Sequence, residues 1–190
     1  MALTKKTPTS IRLGSGDLYC LLFDGELPEI ESICVEENRL GHIQSGASIE
    51  YKPTFYEAKD DLGRVTKVII TDEEALLKAG ILTFDGNSLN VLNDTARVTE
   101  DTDKKRRTLK IGGIRNAKRE KYVIVFHHSD KIDGDVWVAI VGQNQSGFTL
   151  SFQKDKETVI DAEFKALPHD KDGTLIQYVE EIKDTTPSEH

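Results

Sequence analysis

The sequence predicts a mainly β protein, an antiparallel β-sandwich or open barrel with one short α-helix at its flank. Three observations indicate this class. Short apolar or alternating runs recur along the chain, turn dipeptides such as Asp-Gly close several of them, and only one segment carries a clear helix start signal. The 190 residues suffice for one domain with a conventional core. We therefore expect a central domain over residues 11–182, between an N-terminal arm (1–10) and a C-terminal tail (183–190).

The strands of the first half are predicted from apolar runs and turns. Residues 18–23 form an apolar run that ends at Asp24-Gly25, which predicts a first strand. Residues 48–52 alternate strictly and meet Pro53, which is typical of an edge strand or of a strand that ends there. Residues 54–59 and 64–70 flank the turn sequence Asp-Asp-Leu-Gly, so these two runs predict a projecting hairpin.

One helix is predicted over about residues 72–79. Thr71 is a candidate N-cap, and Glu74 stands three residues later, as in a capping box. Alanines and leucines follow, and Gly80 occupies the position of a C′ glycine.

The C-terminal third carries the strongest β signal. After two weaker runs at 81–84 and 91–92, period-two or continuous apolar patterns predict further strands. These strands cover residues 122–126, 136–141, 148–152, 160–166 and 175–179.

Composition narrows the function classes. The chain has 25 basic and 33 acidic residues, and a net charge of −8 argues against a protein whose whole surface grips nucleic acid or an anionic membrane. The longest apolar run, 136–142, is too short to span a bilayer, and the N-terminus lacks a secretory signal. We expect synthesis in the cytosol, no membrane partner, and reduced thiols at Cys20 and Cys34.

A search for catalytic, cofactor and metal motifs finds no candidate, so we do not expect an enzyme. Gly14-Ser15-Gly16 lacks the third glycine and the helix of a dinucleotide loop. Residues 168–173 resemble a calcium loop, but Pro168 and Val179 would occupy the first and twelfth ligand positions. His127 and His128 are adjacent on a predicted strand and would point to opposite faces.

A basic stretch is the one local feature that implies a partner. Residues 103–121 contain nine basic and two acidic residues, which gives a local charge of +7 and leaves −15 on the rest of the chain. Three interpretations remain open: a solvated loop, a contact with an acidic surface of another subunit, and a nucleic-acid site. The stretch lacks interleaved aromatic residues that would stack on bases.

Several strings, in this order and spacing, resemble the tail tube (major tail) proteins of long-tailed bacteriophages that infect Gram-positive hosts. The resemblance covers about residues 11–182. It rests on GASIEYKPT at 46–54, DDLGRV at 60–65, TDEE at 71–74, LKAGIL at 77–82, RTLKIGG at 107–113, NQSGFTL at 144–150, DAEFKA at 161–166 and DGTLI at 172–176.

The resemblance implies a structural protein of the virion. Its copies would form hexameric rings that stack into a hollow tube, through which genomic DNA passes. The other partners would be tail proteins such as the tape measure, distal tail and terminator proteins. The tubes of contractile tails and of type VI secretion are similar in fold. A secretion-system tube and a nucleic-acid-binding β-barrel that uses residues 103–121 are therefore the alternatives.

Two sets of candidate site residues follow. A tube must pass DNA without gripping it, so acidic outward positions on a strand are candidate lumen residues, and Asp161 and Glu163 alternate with apolar neighbours. Segments that become ordered on assembly are candidate subunit contacts. These include the arm at 3–10, the tail after Ile182, and the residues Asp60, Asp61, Arg64, Lys104, Lys105, Arg106 and Arg107.

Overall fold

A computed structural model describes residues 14–64 and 66–182, so the predicted arm (1–10) and tail (183–190) lie outside the described residues. The mainly β class with short helices is confirmed. The strands are β1 (Asp17–Leu22), β2 (Arg39–Gly41), β3 (Ile43–Lys59), β4 (Thr66–Ile81), β5 (Arg97–Asp101), β6 (Arg106–Lys110), β7 (Tyr122–His128), β8 (Val136–Asn144), β9 (Ile160–Ala166) and β10 (Ile176–Glu180). The α-helices are α1 (Ile30–Ile33) and α2 (Gly86–Val91), and 3₁₀ turns cover Glu36–Asn38 and Ile114–Asn116.

Eight of the strands form one antiparallel sheet in the order β2-β1-β7-β8-β9-β4-β3, with β10 as an additional partner of β8. One edge of β8 pairs with β7 from Val136 to Gly142. The other edge pairs first with β10 and then with β9, so the sheet divides at this strand. Strands β5 and β6 form a separate two-stranded sheet.

The core consists of two clusters on opposite faces of β1, β7 and β8. In the first cluster, Ile124 and Ile140 from these strands pack with Leu77 and Phe164 from β4 and β9. Since all four side chains belong to one sheet, the sheet curls around this cluster. The second cluster contains the alternate residues of β7 and β8, and Ile30 and Ile33 of α1 cover it.

The helix predicted over residues 72–79 is wrong, because this segment belongs to β4. The strand pairs with β3 on one side and with β9 on the other. Its alternate residues Ala75, Leu77, Ala79 and Ile81 are buried in the first cluster. Long-range strand pairing and burial therefore outweigh the helical propensity of the segment.

Two other local predictions are also wrong. The predicted strand at 91–92 is the end of α2. This helix begins after Asp85, and the Asp85 carboxylate accepts hydrogen bonds from the N–H groups of Asn87 and Ser88 at 2.9 and 3.0 Å. The predicted strand at 148–152 is irregular, although Phe148 and Leu150 pack against the first cluster. The weak run at 81–84 contributes only Ile81, the last residue of β4.

The predicted first strand, the hairpin across residues 54–70 and four C-terminal strands are confirmed. They correspond to β1, the distal parts of β3 and β4, and β7, β8, β9 and β10. The edge position of residues 48–52 is also confirmed, since β3 lies at the end of the strand order, and it continues through Pro53.

Candidate assembly surfaces

The most prominent surface feature is the hairpin of β3 and β4. Strand β9 pairs with β4 only from Leu76 to Ile81, so the more distal part of the hairpin extends beyond the sheet as two strands. Within residues 14–64 and 66–182, no strand pairs with the outer edge of β3. An unpaired edge presents backbone N–H and C=O groups to any strand that can approach it.

One face of this hairpin carries an apolar stripe, which we define as Ile49, Tyr51, Phe55, Val68 and Ile70. Alternation along β3 places its three members on one face, and the register places Ile70 beside Phe55. The stripe is a continuation of the core, because Ile49 pairs with buried Leu77. Nevertheless, Tyr51, Phe55 and Ile70 are 48%, 58% and 51% exposed.

The predicted contact residues Asp60, Asp61 and Arg64 lie at the tip of this hairpin. Asp60 forms an ion pair with Arg64 at 3.6 Å, and its carbonyl accepts a hydrogen bond from the N–H of Gly63 at 2.9 Å. Gly63 has a φ of 64°, a left-handed conformation that favours glycine. The tip is therefore a compact turn at the far end of the hairpin from the core.

The predicted lumen residues Asp161 and Glu163 lie on the face of β9 opposite its buried side chains. The burial pattern alternates along β9 as expected. Glu163 pairs with Lys78 of β4 at 3.0 Å, and Lys78 also lies 3.5 Å from Glu50 of β3. The hydrogen bond to Glu163 raises the pKa of Lys78, so this lysine stays charged between the two carboxylates.

A second ion pair extends this surface, which we call the charged face. It consists of Glu50, Glu74, Lys78, Asp161, Glu163 and Lys165. Lys165 of β9 contacts Glu74 of β4 at 2.8 Å, and the hydrogen bond raises the pKa of Lys165. The irregular segment 146–159 stands beside the face and borders an open groove of about 850 Å³. Gln44, Ser48, Lys78, Asp161 and Glu163 line its floor. The face is therefore a network of paired charges rather than a uniformly negative wall.

The basic residues Lys104, Lys105, Arg106 and Arg107 lie on the hairpin of β5 and β6. Arg107 differs from the other three in its contacts. Arg107 binds Asp85 and contacts Glu100 at 2.8 Å, so it ties this hairpin to the start of α2. Hydrogen bonds to both carboxylates raise the pKa of the Arg107 guanidinium. The other three side chains are exposed.

The structure adds Arg97 to this surface and places it beside Lys110 of the basic stretch. These two residues pair directly across the strands, and Arg106 shares their face because it lies four residues before Lys110 on β6. We call this face, with Lys104 and Lys105 of the turn, the outward basic face. The sequence did not indicate Arg97, because it lies outside the 103–121 stretch and only the strand register brings it beside Lys110.

The histidines and cysteines lie in separate environments. His127 contacts Asp135 at 2.9 Å and stacks on Trp137, whereas His128 contacts the carbonyl of Ser15. Cys20 and Cys34 are free thiols. In the described part of the chain, no group of three or more His, Cys, Asp or Glu residues is arranged to hold a metal ion.

The described helices include none with the length and apolar character needed to cross a membrane. The chain matches no protein-family model and no curated protein. A functional proposal therefore depends on the hairpin of β3 and β4, the charged face and the outward basic face.

Proposed function

We propose that this chain is a tail tube subunit of a long-tailed bacteriophage, whose copies assemble into stacked rings around a hollow conduit for genome delivery. The observation that carries the proposal is the projecting β3–β4 hairpin. It exposes both an apolar stripe and a long unpaired edge, although the rest of the sheet has a well-buried core. Contiguous exposed apolar surface marks an interaction site, and an open strand edge favours pairing with another chain.

The charged face supports a conduit rather than a DNA-binding site. Tight DNA binding requires several unpaired cationic groups that neutralise phosphates. Lys78 and Lys165 are instead held by Glu163, Glu50 and Glu74, and Asp161 adds an exposed negative charge. A lumen lined by this face would let DNA slide past without holding it.

The proposal also names partners and a location. The main partners are further copies of the same chain, and the tape measure, distal tail and terminator proteins would bind at the ends of the tube. DNA would be a transient and non-specific partner. The chain would be made in the cytoplasm of the bacterial host and would finally reside in the virion tail.

Electron microscopy and sedimentation of concentrated purified protein test this proposal. We expect hollow tubes of stacked rings, formed by the protein alone or after addition of a tail initiator complex. A chain that stays monomeric in both conditions would contradict the proposal. Neighbouring genes distinguish a phage tail tube from a secretion-system tube. Capsid and tape-measure genes indicate a phage, whereas a secretion ATPase indicates a secretion system.

A second candidate function, a nucleic-acid-binding β-barrel, is favoured only by the outward basic face. Between its basic residues this face carries Thr99 and Thr108 rather than aromatic side chains. Stacking on bases would therefore be absent, and only phosphate contacts would remain. A fluorescence titration with single-stranded DNA decides, since phosphate binding predicts tight, strongly salt-dependent association. We expect weak or no binding near physiological salt.

A further inference from the structure

A second strongly charged segment lies far along the sequence from the basic stretch. Residues 24–37, which we call the acidic segment, contain six acidic residues and no basic residue. All six are exposed: Asp24, Glu26, Glu29, Glu31, Glu36 and Glu37. Among the described residues, Glu36 alone of these six forms an ion pair, with Arg39 at 2.9 Å. The other five carboxylates face solvent and form no ion pair with a described residue.

The acidic segment is held in a fixed position on the sheet. It contains α1, whose Ile30 and Ile33 are buried in the second cluster. The hydroxyl of Ser32 donates a hydrogen bond to the Glu29 carbonyl at 2.6 Å. Because its apolar side chains are anchored in the core, the segment presents Glu29 and Glu31 outward.

The outward basic face belongs to the other side of the sheet. Its hairpin is tied by Arg107 to Asp85 at the start of α2. Leu89 and Val91 of α2 pack against the first cluster, which lies on the face of β1, β7 and β8 opposite α1. No ion pair between described residues joins the acidic segment to the β5–β6 hairpin.

We propose that the acidic segment of one copy binds the outward basic face of the next copy. The basic face presents Arg97, Lys105, Arg106 and Lys110 without an ion pair to a described residue, and it also contains Lys104, which pairs with Asp101 at 3.4 Å. Opposite charges on two surfaces that form no ion pair with each other among the described residues are complementary between chains. Each subunit therefore carries both surfaces, and it binds one neighbour through its acidic segment and another through its outward basic face.

This geometry sets the kind of assembly. A contact between two different patches is heterologous, so it repeats from copy to copy and gives a ring when the rotation closes. As a contact within a tail tube ring, the inference rests on the proposed function. As a contact between copies, it rests only on the charges and positions of the two surfaces.

Charge reversal on each surface tests the proposal. The basic-face variant carries Lys105→Glu, Arg106→Glu and Lys110→Glu, and the acidic-segment variant carries Glu26→Lys, Glu29→Lys and Glu31→Lys. None of these six side chains takes part in an ion pair within the described chain, so no internal pair is lost. Arg106 lies opposite Asp101 and Lys110 lies opposite Arg97. Arg106→Glu therefore turns an attractive cross-strand pair into a repulsive one, and Lys110→Glu does the reverse.

Sedimentation velocity at low and high salt measures self-association. We expect each variant alone to associate about tenfold or more weakly than the unaltered chain. An equimolar mixture should regain association, because one variant then has two acidic surfaces and the other has two basic surfaces. The control variant Lys154→Glu, Lys156→Glu, Lys171→Glu has the same net charge change as the basic-face variant, and we expect it to associate normally.

The outcomes that overturn the contact are distinct from those that overturn the proposed function. The contact is wrong if the unaltered chain stays monomeric at low salt, if both variants associate normally, or if mixing restores nothing. It is also wrong if the basic-face variant loses only binding to single-stranded DNA. Restored association in the mixture, with no tubes seen by electron microscopy, would support the contact and contradict the tail tube function.

Discussion

Replacing Phe55 with serine should weaken association between subunits and leave the fold of each subunit almost unchanged. Phe55 is 58% exposed on the apolar stripe. A buried aromatic side chain covers about 150–250 Å², so about 100 Å² or slightly more remains to be covered by a neighbour. At about 25 cal/mol per Å², this area is worth up to about 3 kcal/mol, or about 100-fold in the dissociation constant.

The effect on the isolated subunit should be much smaller. Phe55 pairs with Ile70, which is also exposed, in the two-stranded part of the hairpin. Loss of one exposed cross-strand pair costs about 1 kcal/mol or less in the free energy of unfolding. Assembly and folding should therefore respond differently to this one substitution.

The assay combines sedimentation velocity with urea denaturation of the monomer. Phe152→Ser is the matched control, because Phe152 is 80% exposed and lies outside the hairpin. The reasoning is refuted if Phe55→Ser associates like the unaltered chain. It is also refuted if Phe152→Ser reduces association as much, since the effect would then not be specific to the stripe.

Three further predictions concern the fold of the subunit. Phe164→Ala should lower the free energy of unfolding by about 3–5 kcal/mol in urea titrations, because Phe164 is 1% exposed, and a loss below about 1 kcal/mol would contradict its central place in the core. Gly142→Ala should cost about 2 kcal/mol or prevent folding, since an added Cβ would lie 2.0 Å from the Lys165 carbonyl oxygen, and an unchanged melting temperature would contradict that backbone approach. Partial burial alone would raise the pKa of Asp135, but hydrogen bonds, led by the one to His127, hold it below its ordinary value of 3.8. Ionised Asp135 therefore stabilises the folded state, fully at pH values above the ordinary pKa and progressively less as pH falls through the lower folded pKa. The melting temperature of Asp135→Asn should vary less with acid pH than that of the unaltered chain. Identical pH profiles would contradict this prediction.

The sequence correctly predicted the strands in which the local apolar pattern matches the burial of the side chains in the folded sheet. In β7 and β8, β-branched residues and an Asp-Gly turn between the strands indicate the same pairing that the sheet adopts. In β9, Asp161 and Glu163 alternate with Ile160, Ala162 and Phe164, and burial follows that alternation. Local pattern was sufficient because it matches burial: β9 has one face in the first cluster and alternates, whereas β7 and β8 are buried on both faces and are continuous apolar runs.

The prediction failed in β4, where two patterns coexist. Thr71 and Glu74 resemble a capping box, but the period-two set that begins with Ala75 and Leu77 is the one that burial selects. The choice depends on β3 and β9, which are distant in sequence, so no local signal resolves it. Gly80 serves the sheet instead, because an added Cβ would lie 3.0 Å from both the Gln44 carbonyl and the Val159 side chain.

The candidate surfaces were only partly predictable for the same reason. The basic stretch is visible in the sequence, but the separation of Arg107 from its neighbours depends on Asp85, which lies 22 positions earlier. The addition of Arg97 to the outward basic face depends on its register opposite Lys110. Alternation in residues 54–70 is weak, so the exposure of Phe55 and Ile70 on one face emerges only from the pairing of β3 with β4.

The division of the sheet at β8 has a consequence for the internal motions of the subunit. Strand β8 is hydrogen-bonded on both edges, to β7 on one side and to β10 and β9 in turn on the other. Its amide protons alternate between the two edges, so exchange of the whole strand requires the ladders on both sides to open, whereas β9 and β10 can loosen one at a time. In the strand order β9 and β4 separate β8 from β3, so the exposed hairpin can adjust to a neighbouring subunit while β8 stays paired on both edges.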